Sequence, residues 1–62
     1  MKFSHNLKLR KFQQLLESKG WKRIDEFTYQ DPDDEDVFAY FSVGKINYLN
    51  RETAKFLLNR PL

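Results

Sequence analysis

The chain has 62 residues, no cysteine and a formal net charge of +2. A chain of this length forms one domain, which buries only about 60% of the surface that its unfolded form exposes. Without cysteine it cannot be stabilised by disulfides, which favours a reducing setting over the secreted mini-proteins. No window approaches the ~20 apolar residues of a membrane span, and the first residues lack the apolar core of a signal peptide. We therefore expect one cytoplasmic domain over residues 1–62, with no membrane partner.

The first predicted element is an amphipathic helix from about Leu7 to Lys19. Its apolar residues at helical spacing are Leu9, Phe12, Leu15 and Leu16. Ser4 or Asn6 is expected to cap the start, because their side-chain oxygens can accept a hydrogen bond from a free backbone N–H. Gly20 follows the last turn, where a residue in the left-handed conformation often ends a helix. Both ends of the helix are therefore marked in the sequence.

The middle of the chain predicts three antiparallel strands. The stretch 21–48 holds seven of the ten aromatic residues, a composition typical of strands. The first strand runs over 21–29, with a bulge or bend near Asp25 and Glu26 because its alternation is imperfect. An acidic turn that contains Pro32 follows. The second strand covers 37–42 and the third covers 45–49, joined by a tight turn at Val43 and Gly44.

A second helix is expected to begin after Asn50 and to run to about Asn59. Asn50 is a favourable N-cap, Glu52 lies in the first turn where the helix dipole favours an acid, and Pro61 stops the helix. The predicted fold is α+β, in the order helix, three-stranded antiparallel sheet, helix. The expected core consists of Leu9, Phe12, Leu15, Leu16, Trp21, Ile24, Phe41, Ile46, Leu57 and Leu58. Phe56 points away from its apolar neighbours, which indicates either a helix buried on two sides or an exposed aromatic.

Aromatic residues predict the first candidate binding surface. If both helices cover one face of the sheet, the other face exposes alternate side chains. The candidates on this open face are Tyr29, Phe38, Tyr40 and Tyr48. Exposed aromatics anchor protein partners or a second copy of the chain, and they also stack on single-stranded bases. The alternative is that so small a domain needs every aromatic for its own core.

The acidic turn is the second candidate. Its carboxylates belong to Asp31, Asp33, Asp34, Glu35 and Asp36. Presented on a hairpin, they could occupy a basic groove on a partner, or they could simply keep the hairpin tip hydrated. The turn lacks the glycine and the ligand spacing of an EF-hand loop, so we expect no metal there.

Charge is distributed in blocks along the chain. Residues 1–23 carry seven bases and one acid, residues 24–44 carry seven acids and no base, and residues 45–62 carry four bases and one acid. The basic candidates for nucleic-acid contacts are Lys8, Lys11, Lys19, Lys22 and Arg23. The alternative is that these basic residues bind nothing. Lysines beside the apolar stripe of a helix commonly extend their charged ends into water, and this set is too diffuse to form a dense phosphate-binding face.

Catalytic residues are scarce. His5 is the only histidine, there is no cysteine, and no serine has an evident base. The Gly44-Lys45 pair lacks the remaining positions of a phosphate-binding loop. The sequence therefore predicts neither an enzyme nor a cofactor site.

One segment carries a resemblance to a known family. Leu15-Leu-Glu-Ser-Lys-Gly-Trp21, together with the order helix, strands, helix, resembles the opening of HicA-type ribonuclease toxins. The resemblance covers about seven residues and implies a fold like that of double-stranded-RNA-binding domains. The strand histidine of that family would fall near residues 26–28, where this chain has none, so no activity is carried over.

These features predict a non-catalytic binding module. The leading hypothesis is an adaptor or inhibitor, phage-like in its small size, which engages a basic protein partner, such as one that handles nucleic acid, through the acidic turn and the aromatic face. The alternative is a small DNA- or RNA-binding protein that uses the basic residues of the first helix and first strand. A homodimer is the remaining partner that the sequence allows.

Overall fold

The chain folds into two helices and one antiparallel sheet. A computed structural model describes residues 2–59, 61 and 62, with side chains described for 7–59, 61 and 62. The elements in chain order are α1 (Lys2–Ser18), β1 (Lys22–Asp25), β2 (Thr28–Gln30), β3 (Val37–Ser42), β4 (Lys45–Asn50) and α2 (Arg51–Leu58). The strands are ordered β1-β2-β3-β4 in the sheet. This is the expected small α+β domain, but it has four strands where three were predicted.

The additional strand arises because the predicted first strand is a hairpin. β1 and β2 pair antiparallel around a turn at Glu26 and Phe27, with a shift in register between Arg23 and Asp25. Neither turn residue is a typical turn former, so the imperfect alternation predicts a bend near Asp25 and Glu26 but not a reversal of the chain. An Asp25 carboxylate oxygen instead accepts the Phe27 N–H at 2.9 Å. From α1, the Gln13 side-chain amide donates to the Glu26 carbonyl at 3.0 Å, so a tertiary contact also holds the turn.

Most helix ends match the expectation. After α1, Trp21 N–H donates to Leu16 O at 3.0 Å and Gly20 N–H donates to Glu17 O at 3.1 Å, with Gly20 at φ 84°. This pair of bonds is a Schellman motif. In α2, the Asn50 side chain accepts the Thr53 N–H at 2.8 Å, which confirms the N-cap. Asn59 adopts the left-handed conformation and ends the helix.

The predicted start of the first helix is wrong. The helix includes Lys2, so Ser4 and Asn6 lie within α1 and do not precede it as N-caps. Their side chains, and that of His5, lie outside the described residues. No described helix combines the length and the apolar character that crossing a membrane requires.

The main core lies between α1 and one face of the sheet, which we call face A. Its buried members are Phe12, Leu16, Tyr29, Ala39 and Phe41, with Leu9, Trp21 and Ile46 packed against them. Phe12 makes the central contacts, because its ring lies 5.5 Å from the Tyr29 ring in an edge arrangement and 5.1 Å from the Phe41 ring. Edge and tilted arrangements of this kind are favourable beyond the area they bury.

The opposite face of the sheet, face B, is covered by α2. Phe38 and Ala39 are neighbours on β3, so their side chains point to opposite faces. Phe38 is 1% exposed and lies outside the core beneath α1, as does Ala54, the buried residue of α2. Because α2 contacts β3 and β4, it is the described element that covers Phe38. The two helices therefore lie on opposite faces.

The predicted core is right in its centre and wrong at its edges. Phe12, Leu16 and Phe41 are buried, and Leu9, Trp21, Ile24, Ile46 and Leu58 are half-buried. Leu15 and Leu57, however, are exposed. Tyr29, Phe38, Ala39 and Ala54 take up buried positions that the prediction left out. Phe38 is buried because a sheet covered on both faces needs apolar side chains of both parities along β3, whereas Tyr29 and Ala39 lie beneath α1 with Phe41.

Two buried polar groups distinguish the sheet interior. The Tyr29 hydroxyl donates to Glu17 Oε2 at 2.6 Å, and burial together with this neighbouring carboxylate raises the pKa of Tyr29 to about 12. Thr28 is fully buried, and its Oγ1 has no hydrogen-bond partner in the described part of the chain. A buried hydroxyl without a partner costs about 1–3 kcal/mol of stability.

We expect Thr28→Val to raise the free energy of unfolding by about 1 kcal/mol, because the methyl group replaces an unpaired hydroxyl of similar size. Urea denaturation followed by circular dichroism measures the change. Thr53→Val, the same exchange at an exposed helix position, is the control and should change stability by less than about 0.5 kcal/mol. A loss of stability in Thr28→Val would show that the hydroxyl is satisfied.

The Tyr29 hydroxyl should make stability fall at alkaline pH. Its pKa is raised to about 12 in the fold, against about 10 in the unfolded chain, so the stabilisation is fully present below pH 10 and is lost as the pH rises to 12. Relative to Tyr29→Phe, the wild-type protein should lose about 3 kcal/mol over this range. Urea titrations of both proteins at several pH values measure the difference, and parallel pH profiles would contradict the prediction.

Candidate interaction site

A shallow groove lies between α1 and the β3–β4 hairpin. Its volume is about 310 Å³. The lining residues are Lys8, Lys11, Phe12, Leu15, Phe41, Gly44 and Ile46. The four from α1 are spaced i, i+3, i+4 and i+7, which places them on one side of the helix. Phe41 and Ile46 face each other across β3 and β4 on face A, so the groove is built from the edge of the main core.

The groove combines an apolar lining with two positive charges. Lys8 and Lys11 are its charged residues, and both are exposed. A side-chain carbon added at Gly44 would lie 3.8 Å from Lys8 Nζ, so the Lys8 side chain lies against the hairpin turn. Leu15 remains 43% exposed at the rim. A segment that has an apolar side chain next to an acidic residue would complement this arrangement, with the apolar side chain against the lining and the carboxylate beside the lysines.

The turn beside the groove has an unusual backbone. Val43 has φ 52° and Gly44 has φ 69°. Positive φ at both central residues suits the twist of a two-residue hairpin, and Gly44 adopts it without strain. Val43 does not, because its branched side chain is crowded in the left-handed region. Val43 is also 88% exposed, so core packing gives no reason for an apolar residue here.

Face A continues along β4 past the groove. Ile46 and Tyr48 are two residues apart on this strand, so they share a face. Tyr48 is 67% exposed, and its ring lies 6.4 Å from the half-buried Trp21 ring. The outer strand therefore presents apolar surface from the Val43 turn to the Trp21 and Tyr48 pair.

The predicted aromatic face is not an open surface. Tyr29 is 0% and Phe38 is 1% exposed, so neither can contact a partner in this fold. Tyr40 is half-buried on face B, and Tyr48 is exposed on face A. The expectation is wrong for these two residues because each face of the sheet is covered by a helix: Tyr29 lies beneath α1 on face A, and Phe38 lies beneath α2 on face B. Phe56, on α2, is the most exposed described aromatic at 84%.

The acidic turn is ordered by its own side chains. The Asp31 carboxylate accepts the Asp33 N–H at 2.8 Å, and that of Asp34 accepts the Asp36 N–H at 3.0 Å. These contacts are Asx turns, in which an aspartate replaces a backbone acceptor. Two of the five carboxylates in the turn are therefore engaged by the backbone of the turn itself.

Arg51 joins the acidic turn to the start of α2. It forms ion pairs with Asp36 Oδ1 at 3.1 Å and with Glu35 Oε1 at 3.4 Å. It also donates to the Glu35 carbonyl and, at 2.9 Å, to Leu62 O. The two acids are largely exposed, so each pair contributes little free energy on its own. Among the described residues, Asp33 is the carboxylate of this turn without a hydrogen-bonded or ionic partner.

The basic candidates do not form one compact patch. All five are exposed. Lys8 and Lys11 meet at the groove, whereas Lys19 follows the last residue of α1, eight positions after Lys11 and so about 12 Å further at 1.5 Å per residue. Lys22 and Arg23 follow on β1, an edge strand. Whether they contact nucleic acid stays a prediction.

Chemistry-bearing residues are sparse at the groove. The seven lining residues include no histidine, cysteine, serine, aspartate or glutamate. Within the described part of the chain, no three His, Cys, Asp or Glu side chains are placed to hold a metal ion. Comparisons with known protein families, curated proteins and solved structures find no match to this chain.

Replacing Val43 should relieve the strain in the turn. Val43→Asn is expected to raise the free energy of unfolding by about 1 kcal/mol, because asparagine tolerates the left-handed conformation. Val43→Thr is the matched control: it adds polarity but keeps the branch, so its stability should stay close to that of the wild type. Thermal and urea denaturation measure both variants. Equal stabilisation by the two would show that exposure, and not backbone strain, is the cause.

Proposed function

We propose that this protein is a non-catalytic, protein-binding module whose binding site is the groove between α1 and the β3–β4 hairpin. The occupant is a segment of a partner protein that places an apolar side chain in the groove and carboxylates beside Lys8 and Lys11. The observation that carries the proposal is the combination of an apolar groove, whose rim residue Leu15 is 43% exposed, with two lysines. Without cysteine in the chain, a reducing cytoplasm is part of the proposal.

The energetics of the groove support binding. Burying a leucine-sized side chain contributes about 1.5–3 kcal/mol, and the rim lysines add electrostatic selection for acidic partners. With no acid, base or nucleophile other than lysine in the lining, the groove suits recognition better than catalysis. Its lining also lacks the several convergent polar groups that orient small molecules.

The strained backbone of the turn at Val43 and Gly44 also supports the groove as the binding site. Unfavourable backbone conformations are kept where the local structure serves a function. Val43 is exposed, apolar and adjacent to Gly44 in the groove lining. A contact between Val43 and the partner explains why a valine occupies a position that asparagine or glycine would fill at lower cost.

This proposal changes the chemistry expected of the partner. The acidic turn suggested a basic partner, but its carboxylates largely engage the turn itself and Arg51. The groove beneath α1 carries the opposite charge, from Lys8 and Lys11. An acidic partner segment is therefore better supported than a basic one.

Selection of peptides from a random display library against the purified protein tests the proposal. The enriched peptides should combine a large apolar residue with nearby Asp or Glu. The double variant Lys8→Glu, Lys11→Glu should raise the Kd of a selected peptide about tenfold or more, because attraction becomes repulsion. Fluorescence anisotropy with the labelled peptide measures the affinity.

Two matched controls locate the site. Lys55→Glu reverses an exposed charge on α2, and Leu57→Gln replaces a leucine with an exposure close to that of Leu15. Both should leave the Kd unchanged, whereas Leu15→Gln should raise it about fivefold to tenfold. The proposal would be overturned if no peptide were enriched, or if the groove variants left the Kd of the selected peptides unchanged. Basic peptides that respond to Asp33→Asn, or salt-sensitive binding of mixed single-stranded DNA and RNA, would also overturn it.

A further inference from the structure

The two edges of the sheet differ in how well they are protected. β1 has four residues, three of them charged, and its register is shifted by an irregularity. Charges and bulges of this kind block the pairing of another strand. β4 has six residues, which pair with β3 without any shift in register. One of the six, Lys45 at the start of the strand, is charged. The edge at β4 is therefore the one that can accept a strand.

The faces of the sheet offer no comparable opening. α1 covers face A and α2 covers face B, so the backbone of the sheet is accessible mainly from its sides. In the part of the chain that the structure describes, β4 pairs with β3 and with no other strand. Asn47 and Tyr48 are exposed along its length. An unpaired row of N–H and C=O groups accepts an extended segment without rearrangement.

The groove and the free edge of β4 are contiguous. Ile46 lines the groove and belongs to β4, and Tyr48 lies two residues further on the same face. Side chains of an added strand alternate between the faces, so every second one would point towards face A, where the groove lies. Main-chain bonds would then supply affinity, and the groove would supply specificity.

We infer that the partner segment binds as a fifth strand on β4, with alternate side chains directed into the groove beneath α1. This inference rests on the proposed function and specifies its binding mode. The segment is extended, and its groove-facing positions carry an apolar residue with an acidic residue two positions away, within reach of Lys8 or Lys11.

A second copy of the chain is the less favourable occupant of this edge. Antiparallel pairing of two β4 strands about a two-fold axis perpendicular to the sheet would place both α1 helices on one face of the joined sheet. The four lysines at positions 8 and 11 of the two copies would then carry like charge on that face. β4 itself offers no carboxylate to neutralise them.

A backbone methylation scan of the tightest selected peptide tests the inference. Each amide nitrogen of the peptide is methylated in turn, and the Kd is measured against wild-type protein. Strand addition predicts losses of about tenfold or more at every second position and small changes between them, because only alternate amides face β4. An alanine scan of the same peptide is the control for side-chain contributions.

Amide hydrogen exchange supplies the readout on the protein. On peptide binding, alternate amides of β4 should become protected, whereas those of the β1 edge should remain unchanged. Binding without the two-residue alternation and without protection of β4 would overturn strand addition but leave the proposed function intact. If no peptide bound at all, both strand addition and the proposed function would be contradicted. A concentration-dependent dimer that protects β4 without peptide would show that a second copy occupies the edge, and would overturn the inference.

Discussion

The contact of Phe12 with Tyr29 and Phe41 determines the arrangement of this domain. These three rings attach α1 to the sheet and account for much of the main core. In so small a domain few other contacts could replace them. The same contact forms the floor of the groove, because Phe12 and Phe41 line it together with Ile46. Stability and the proposed recognition surface thus share residues.

This sharing limits how the site can change. Residues at the rim, such as Lys8 and Leu15, are exposed and can vary at small cost to the fold. Phe12 and Phe41 cannot, because replacing a buried ring leaves a cavity. Partner selectivity is therefore expected to reside in the rim. Val43 lies between these cases: it is exposed, but its backbone conformation makes the present residue unfavourable.

Local signals in the sequence were sufficient for some elements and not for others. Gly20 and Asn50 marked the helix ends because their roles depend on adjacent backbone groups. The imperfect alternation indicated a bend near Asp25 and Glu26, but not that the chain reverses there into a hairpin. A hydrogen bond from Gln13, 13 residues before Glu26, helps to hold this turn and cannot be read from local sequence. The burial of Phe38 could not be read from alternation, which separates the faces but does not tell which one a helix covers. The groove depends likewise on α1 meeting the hairpin turn.

The ordering of the acidic turn has a consequence for the integrity of the chain. A run of exposed acidic residues around a proline is the composition of a flexible loop, which proteases cut because it fits their extended binding clefts. Here two Asx turns and the bonds from Arg51 fix the backbone in a compact shape. Cleavage would first require these contacts to open, so the connection between β2 and β3 should resist digestion in spite of its exposure.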